Sequence, residues 1–187
     1  SIPGEESSVV LNNIQIYSAR TDDDINVGLN NINISIDSSN TEEGLFDTKD
    51  FESTDVLIIG INNTNINDTA FVHPCNDNAI KGQLYQDSVS ITLIGSVNTS
   101  NLSSNVNMTF TDAAYDNSLC VWLDEVNNIW RSDGCKTILD DEGNIICSCS
   151  HLTQFSVIYD LKIGSKQWND CNQLKTNDHD KMYDIIN

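Results

Sequence analysis

The stretch that decides the reading begins Cys120-Val121-Trp122-Leu123-Asp124 and continues through Trp130-Arg131-Ser132-Asp133-Gly134-Cys135. It closes with Cys147-Ser148-Cys149-Ser150-His151-Leu152-Thr153-Gln154-Phe155-Ser156-Val157. Four of the chain's six cysteines fall between Cys120 and Cys149. An even number of cysteines at close spacing suits a disulfide framework formed in an oxidising compartment. Cys147-x-Cys149-x-His151 also has the residue types of a metal site. That use needs free thiolates and competes directly with disulfides, so no metal and no cofactor is expected. Between the cysteines, Asp140-Asp141-Glu142-Gly143-Asn144 reads as a hairpin-like turn. After them, Phe155, Val157 and Tyr159 share a face with Thr153, the alternation of a strand buried on that side.

Outward from this stretch the periodicity is that of strands. Ile32-Asn33-Ile34-Ser35-Ile36-Asp37 alternates strictly, and 89–94 and Val106-Asn107-Met108-Thr109-Phe110 alternate again. Val56-Leu57-Ile58-Ile59-Gly60-Ile61 is a continuous apolar run, the pattern of a strand buried on both faces. Val9 to Tyr17 supplies another strand near the start. Clusters of Asn, Ser, Asp and Gly between these segments read as turns. No long amphipathic helical stripe is present, and only Asp47 to Ser53 has room for a helical turn. The expected fold is all-β, an antiparallel β-sandwich over residues 1–160, followed by a polar tail over 161–187.

Charge narrows the function classes. The chain has 187 residues, 28 acidic against 9 basic, and a formal net charge of -19. Such a surface repels phosphate backbones and anionic lipid, which excludes nucleic acid as a partner. No apolar run approaches the roughly 20 residues that span a membrane. The chain opens at Ser1 with no apolar leader core and is read as a processed protein or a segment of something longer. Asn-x-Ser/Thr acceptor patterns start at Asn33, Asn62, Asn67, Asn98, Asn101 and Asn107. With the cysteines, they place the chain outside the cell or at its surface, reached through the secretory pathway. Asp22-Asp23-Asp24 and Asp140-Asp141-Glu142 lack the ligand spacing of a calcium loop and read as solvated loops. Trp122 and Trp130 read as core packing, and His73 and His179 have no partner that the sequence reveals.

The 120–159 segment resembles the GPCR proteolysis site, the GPS motif, of adhesion G-protein-coupled receptors and polycystin-like proteins. That pattern runs Cys-x-aromatic, Trp, Gly-Cys, then Cys-x-Cys-x-His-Leu-Thr/Ser with an aromatic two residues later. Cys120, Trp130, Gly134, Cys135, Cys147, Cys149, His151, Leu152, Thr153 and Phe155 stand in register with it. Leu123 departs, since many relatives have a second aromatic there. The resemblance implies that the motif forms the final strands of a GAIN domain, and the residues before Cys120 suit the β-sandwich subdomain B. They are too few and too poor in helix for the helical subdomain that usually precedes it. It implies disulfides Cys120–Cys147 and Cys135–Cys149. Cys75 and Cys171 lie outside the motif and are left to pair with each other or with another chain.

The resemblance also implies self-cleavage between Leu152 and Thr153. The residues suit that chemistry: Thr153 Oγ1 follows the Leu152 carbonyl, so attack is intramolecular, by N-to-O acyl shift and then ester hydrolysis. His151, with an ordinary pKa of about 6.5, is available as the base. The acyl shift runs uphill unless the fold distorts the peptide. Such a protein acts once on itself and is not a turnover enzyme. Its first partner is its own cleaved strand from Thr153 onward, held by ladder hydrogen bonds and burial as an adhesive or mechanosensing junction with an extracellular protein partner. The polar stretch from Lys162 to Asn187 puts any membrane segment outside this chain. The competing expectation is an uncut structural or partner-binding sandwich of an extracellular assembly.

Overall fold

The computed structural model describes residues 6–21, 24–36, 54–62, 68–73, 76–94, 105–111, 113 and 118–159. Their regular secondary structure is strand only, with turns and short loops between. In chain order the strands are β1 (Glu6–Leu11), β2 (Ile14–Thr21), β3 (Ile25–Leu29), β4 (Ile32–Ile36), β5 (Thr54–Asn62), β6 (Asp68–His73) and β7 (Asn76–Leu84). They continue with β8 (Asp87–Ile94), β9 (Val106–Phe110), β10 (Leu119–Asp124), β11 (Ile129–Arg131), β12 (Cys135–Leu139), β13 (Ile145–Cys149) and β14 (Gln154–Tyr159).

Two sheets stack face to face. One has five strands in the order β12-β13-β9-β4-β3, and the other has nine, β1-β2-β5-β8-β14-β10-β11-β6-β7. Alternation explains the packing between them. Ile32, Ile34 and Ile36 of β4 and Val106, Met108 and Phe110 of β9 are at most 2% exposed, while Asn33 and Asn107 face solvent. Val56, Ile58, Val89, Ile91, Phe155 and Val157 meet them from the larger sheet. Burial of side chains this size contributes about 1.5–3 kcal/mol each. Turn chemistry fits the hairpins: Asn12 and Asn30 take up left-handed backbone at the first loop position of the β1–β2 and β3–β4 hairpins.

The larger sheet does more than lie flat. β14 pairs with β10 on one edge, and with both β8 and the end of β7 on the other. Because β10 continues through β11 and β6 to β7, the pairings close a ring of five strands. A second apolar cluster forms on these strands: Leu119, Val121, Trp130 and Ile158, with Leu84 and Leu123 packed against it.

Two sequence expectations are thereby corrected. β14 is not buried on one side only: Phe155, Ser156, Val157 and Ile158 are all 0% exposed. Phe155 and Val157 face the inter-sheet core, whereas Ile158 joins the second cluster. β5, expected to be buried on both faces, is fully buried on one. Val56 and Ile58 are inside, while Leu57, Ile59 and Ile61 are half-buried, and no third layer covers them among the described residues. The helical turn at Asp47 to Ser53, Cys75, Cys171, His179 and the 161–187 tail lie outside the described residues.

Candidate functional site

The His-Leu-Thr segment sits where the chain changes sheets. β13 ends at Cys149 in the five-stranded sheet and β14 starts at Gln154 in the nine-stranded one, so residues 150–153 form the crossover. Both disulfides converge there. Cys120–Cys147 joins β10 to β13 and so ties one sheet to the other. Cys135–Cys149 fastens β12 to β13 across directly opposed positions, one residue before the crossover begins.

Hydrogen bonds clamp the crossover at both ends. Ser150 donates its backbone N–H to the Gly134 carbonyl at 3.0 Å and its hydroxyl to the same oxygen at 3.3 Å. At the far end the Thr153 carbonyl accepts from the Ile91 N–H at 3.1 Å. The Thr153 hydroxyl donates to the Leu123 carbonyl at 3.1 Å. Leu152 is half-buried against the inter-sheet core. None of residues 150–153 has left-handed backbone, so the constraint on this segment lies in its clamps and packing and not in its φ angles.

His151 is set by three neighbours. The Trp122 ring meets the imidazole edge-on with centroids 4.7 Å apart, and Phe155 lies at 5.5 Å, tilted by 50°. Gly134 faces it from below. A Cβ on Gly134 would stand 3.1 Å from His151 Nδ1, and the residue's φ of +78° is one that side-chain-bearing residues seldom adopt. Trp122 is held in turn by its indole N–H, which donates to the Asp133 carbonyl at 2.6 Å, and by the Arg131 guanidinium 5.9 Å over its ring.

Burial pushes the His151 pKa below its usual value of 6.5, with the Asp133 carboxylate pulling weakly the other way. The imidazole is therefore a neutral base across extracellular pH. Its Nε2 is buried and has no hydrogen-bond partner among the described residues. An unpartnered buried nitrogen costs about 1–3 kcal/mol, a cost that folded proteins rarely carry without a use for the atom. Above the crossover an open cleft of about 450 Å³ is lined by Trp122, Asp124, Glu125, Gly134, His151 and Thr153, among others.

The structure thus brings His151, Leu152, Thr153 and both disulfides of the motif into one corner of the sandwich. It also adds groups that sequence reasoning gave no role. The Leu123 carbonyl is a backbone atom, so no residue type signals it. Gly134 had a signal, its place just before Cys135, but only the fold shows that it faces His151. Trp122, read as core packing, is also the wall of the histidine site. Of the acceptor asparagines, Asn33 and Asn107 are exposed and Asn62 is half-buried. Asn67, Asn98 and Asn101 lie outside the described residues. Asp140 of the acidic turn spends its carboxylate on that turn, accepting from the Glu142 and Asn144 N–H groups. Those bonds, Asn144 foremost, hold its pKa below the usual carboxylate range.

A disulfide-stapled sandwich whose chain crosses between sheets through a clamped His-Leu-Thr segment defines a class. The family model for the GPS motif, described as GAIN subdomain B, matches residues 6–163, and the chain belongs to that family. Nine chains of solved structures match it. One is the full extracellular region of zebrafish Gpr126/Adgrg6, 15% identical with a TM-score of 0.50, aligned over 81% of this chain and 23% of that one. At that identity the likeness is one of fold. No curated protein sequence matches significantly. Among the described residues no helix is long and apolar enough to cross a membrane.

Proposed function

We propose that this domain cuts its own backbone between Leu152 and Thr153, outside the cell, and that the two fragments stay joined. The observation that carries the reading is the His151 imidazole: neutral, half-buried, with a buried and unpartnered Nε2, and two residues from Thr153 in a clamped crossover. For the reaction, the Thr153 hydroxyl leaves the Leu123 carbonyl and turns toward the Leu152 carbonyl carbon. His151 takes the hydroxyl proton as the Oγ1–C bond forms. The same proton passes to the departing Thr153 nitrogen as the C–N bond breaks, which leaves an ester and a free amine. Water then adds to the ester, releasing a Leu152 carboxylate and restoring the Thr153 hydroxyl. His151, Leu152 and Thr153 carry the step once per chain, and the sandwich turns over no other substrate.

The fragments hold together through β14. Its ladder bonds run to β10, β8 and β7, and four of its six residues are fully buried. Two disulfides and the family's extracellular setting support an oxidising compartment for the junction. There it would serve adhesion or force sensing within a longer protein, with an extracellular protein as partner and any membrane segment outside this chain.

One observation favours a second reading, an uncut structural or partner-binding sandwich: the Thr153 hydroxyl is bonded to Leu123 and not to His151. Denaturing electrophoresis of the secreted domain under reducing conditions separates the two. Two bands from wild type and one from Thr153→Ala and His151→Ala support self-cleavage. One full-length band from folded wild type supports the uncut sandwich.

A further inference from the structure

The acceptor asparagines differ sharply in their surroundings. Asn33-Ile34-Ser35 lies in β4 and Asn107-Met108-Thr109 in β9. In each, the middle residue is in the core (Ile34 at 2% exposure, Met108 at 0%), so alternation turns the asparagine and the hydroxyl residue outward together. The two strands are neighbours, with Asn33 opposite Thr109 and Asn107 opposite Ser35. The asparagines are therefore diagonal neighbours, about 7–8 Å apart, on the outer face of the five-stranded sheet. On its other side Asn33 faces Gly28, which has no side chain to crowd it.

That face is unlike the rest of the chain. The other outward residues of β3, β4 and β9 are Asn26, Gly28, Ser35 and Thr109, none of them charged. On these three strands a protein with net charge -19 presents a neutral, hydrogen-bonding surface, and the nearest charge on the same outer face is Lys136 of β12, beyond Ser148 of β13.

Asn62 is the contrast. Its Nδ2 donates to Asp87 Oδ1 at 2.7 Å, and Asn31 Nδ2 donates to the other carboxylate oxygen at 3.0 Å. Asp87 is 0% exposed, so these two amides are what keep a buried carboxylate hydrogen-bonded. A sugar joined at Asn62 Nδ2 would replace one of that nitrogen's two hydrogens and put bulk beside a closed polar contact.

We propose that the outer face of the five-stranded sheet is a glycan-bearing face. N-linked oligosaccharides sit on Asn33 and Asn107, Asn62 stays bare, and the paired sugars supply the hydration that charge supplies elsewhere. The proposal rests on the extracellular setting of the proposed function but not on the cut at Leu152–Thr153, which is scored separately on the same sample.

The test is site mapping on the chain secreted from a eukaryotic host behind a host leader. Enzymatic release of N-glycans in heavy-oxygen water converts each occupied asparagine to a mass-tagged aspartate. The expected result is a tag on Asn33 and on Asn107 and an untagged Asn62. An untagged Asn33 or Asn107, or a tag on Asn62, overturns the proposal. Glutamine variants give an independent readout. Asn33→Gln and Asn107→Gln should each remove one mobility step and leave the melting temperature of the deglycosylated protein unchanged. Asn62→Gln should leave mobility unchanged and lower that temperature. A mobility step lost with Asn62→Gln also overturns it.

Discussion

β1 and β14 are both six-residue strands of the same sheet, and their sequences, ESSVVL and QFSVIY, carry similar apolar content. Their fates are opposite. β1 is an edge strand with every residue exposed, Val10 at 68%. β14 has neighbours on both sides and four residues that water does not reach. The difference lies in position within the sheet and not in local composition. For function, the strand freed by the proposed cut is among the best held in the molecule, whereas a strand like β1 would be lost once its covalent link was broken. A self-cleaving domain that must remain one particle needs its cut at the head of a strand like β14.

The comparison can be broken most forcefully by substitution in the two strands, measured by chemical denaturation on a Thr153→Ala background so that cleavage does not intrude. Phe155→Ala should cost about 3–5 kcal/mol, the loss for a fully enclosed ring, whereas Val10→Ala should fall within about 0.5 kcal/mol. Comparable losses at the two sites would refute the contrast. Next in size are the disulfides. Replacing Cys120 and Cys147 by alanine should cost about 2–5 kcal/mol. It should cost more than replacing Cys135 and Cys149, because the first pair closes a span of 27 residues and the second only 14. By chain entropy that difference is only about 0.6 kcal/mol. The linkage of the two sheets by Cys120–Cys147 should widen it, as paired melting curves would show.

A smaller effect is expected at Gly134→Ala. Left-handed backbone costs an alanine about 1–2 kcal/mol, and the new methyl would press on His151. The variant should still fold with both disulfides formed but cleave more slowly, as the fraction cut against time would report. The smallest expected effect is on the pH profile. With the His151 pKa pushed below 6.5 by burial, cleavage should hold steady down to that pH and fall only at lower values. Asp133→Asn removes the one charge that raises this pKa, so the acid limb should move lower still. The sign for stability follows. The folded chain binds fewer protons than the unfolded one in this window, so His151 makes stability decline as pH drops below about 6.5.

What the sequence disclosed and what it withheld divide along physical lines. Strict alternation in Ile32–Ile36 and Val106–Phe110 declares two half-buried strands, because one sheet face is core and the other is solvent. The spaced Cys, Trp, Gly and His-Leu-Thr positions identified the family, since so many constraints at fixed spacing seldom coincide. The closing of β14, β10, β11, β6 and β7 into a ring left no local mark, which is why Ile158 was not expected to be buried opposite Phe155. The run from Val56 to Ile61 misled because half-burial by flanking strands and burial under a third layer select the same residues. At the crossover, the Leu123 carbonyl that holds the Thr153 hydroxyl belongs to the backbone, and no side-chain pattern can announce it. The Asn31–Asp87–Asn62 contact joins residues 31, 62 and 87, brought together only by the fold.

The central claim, a chain that is cut and yet held whole by β14, is tested most directly by weighing the folded, deglycosylated domain twice, once under native and once under denaturing conditions. The account expects a native mass equal to the sum of the two fragments, which is the mass of the uncut chain plus the one water taken up by the cut. Denatured and reduced, it expects two masses that meet between Leu152 and Thr153. A single full-length mass after denaturation, from protein shown to be folded with both disulfides closed, would contradict it.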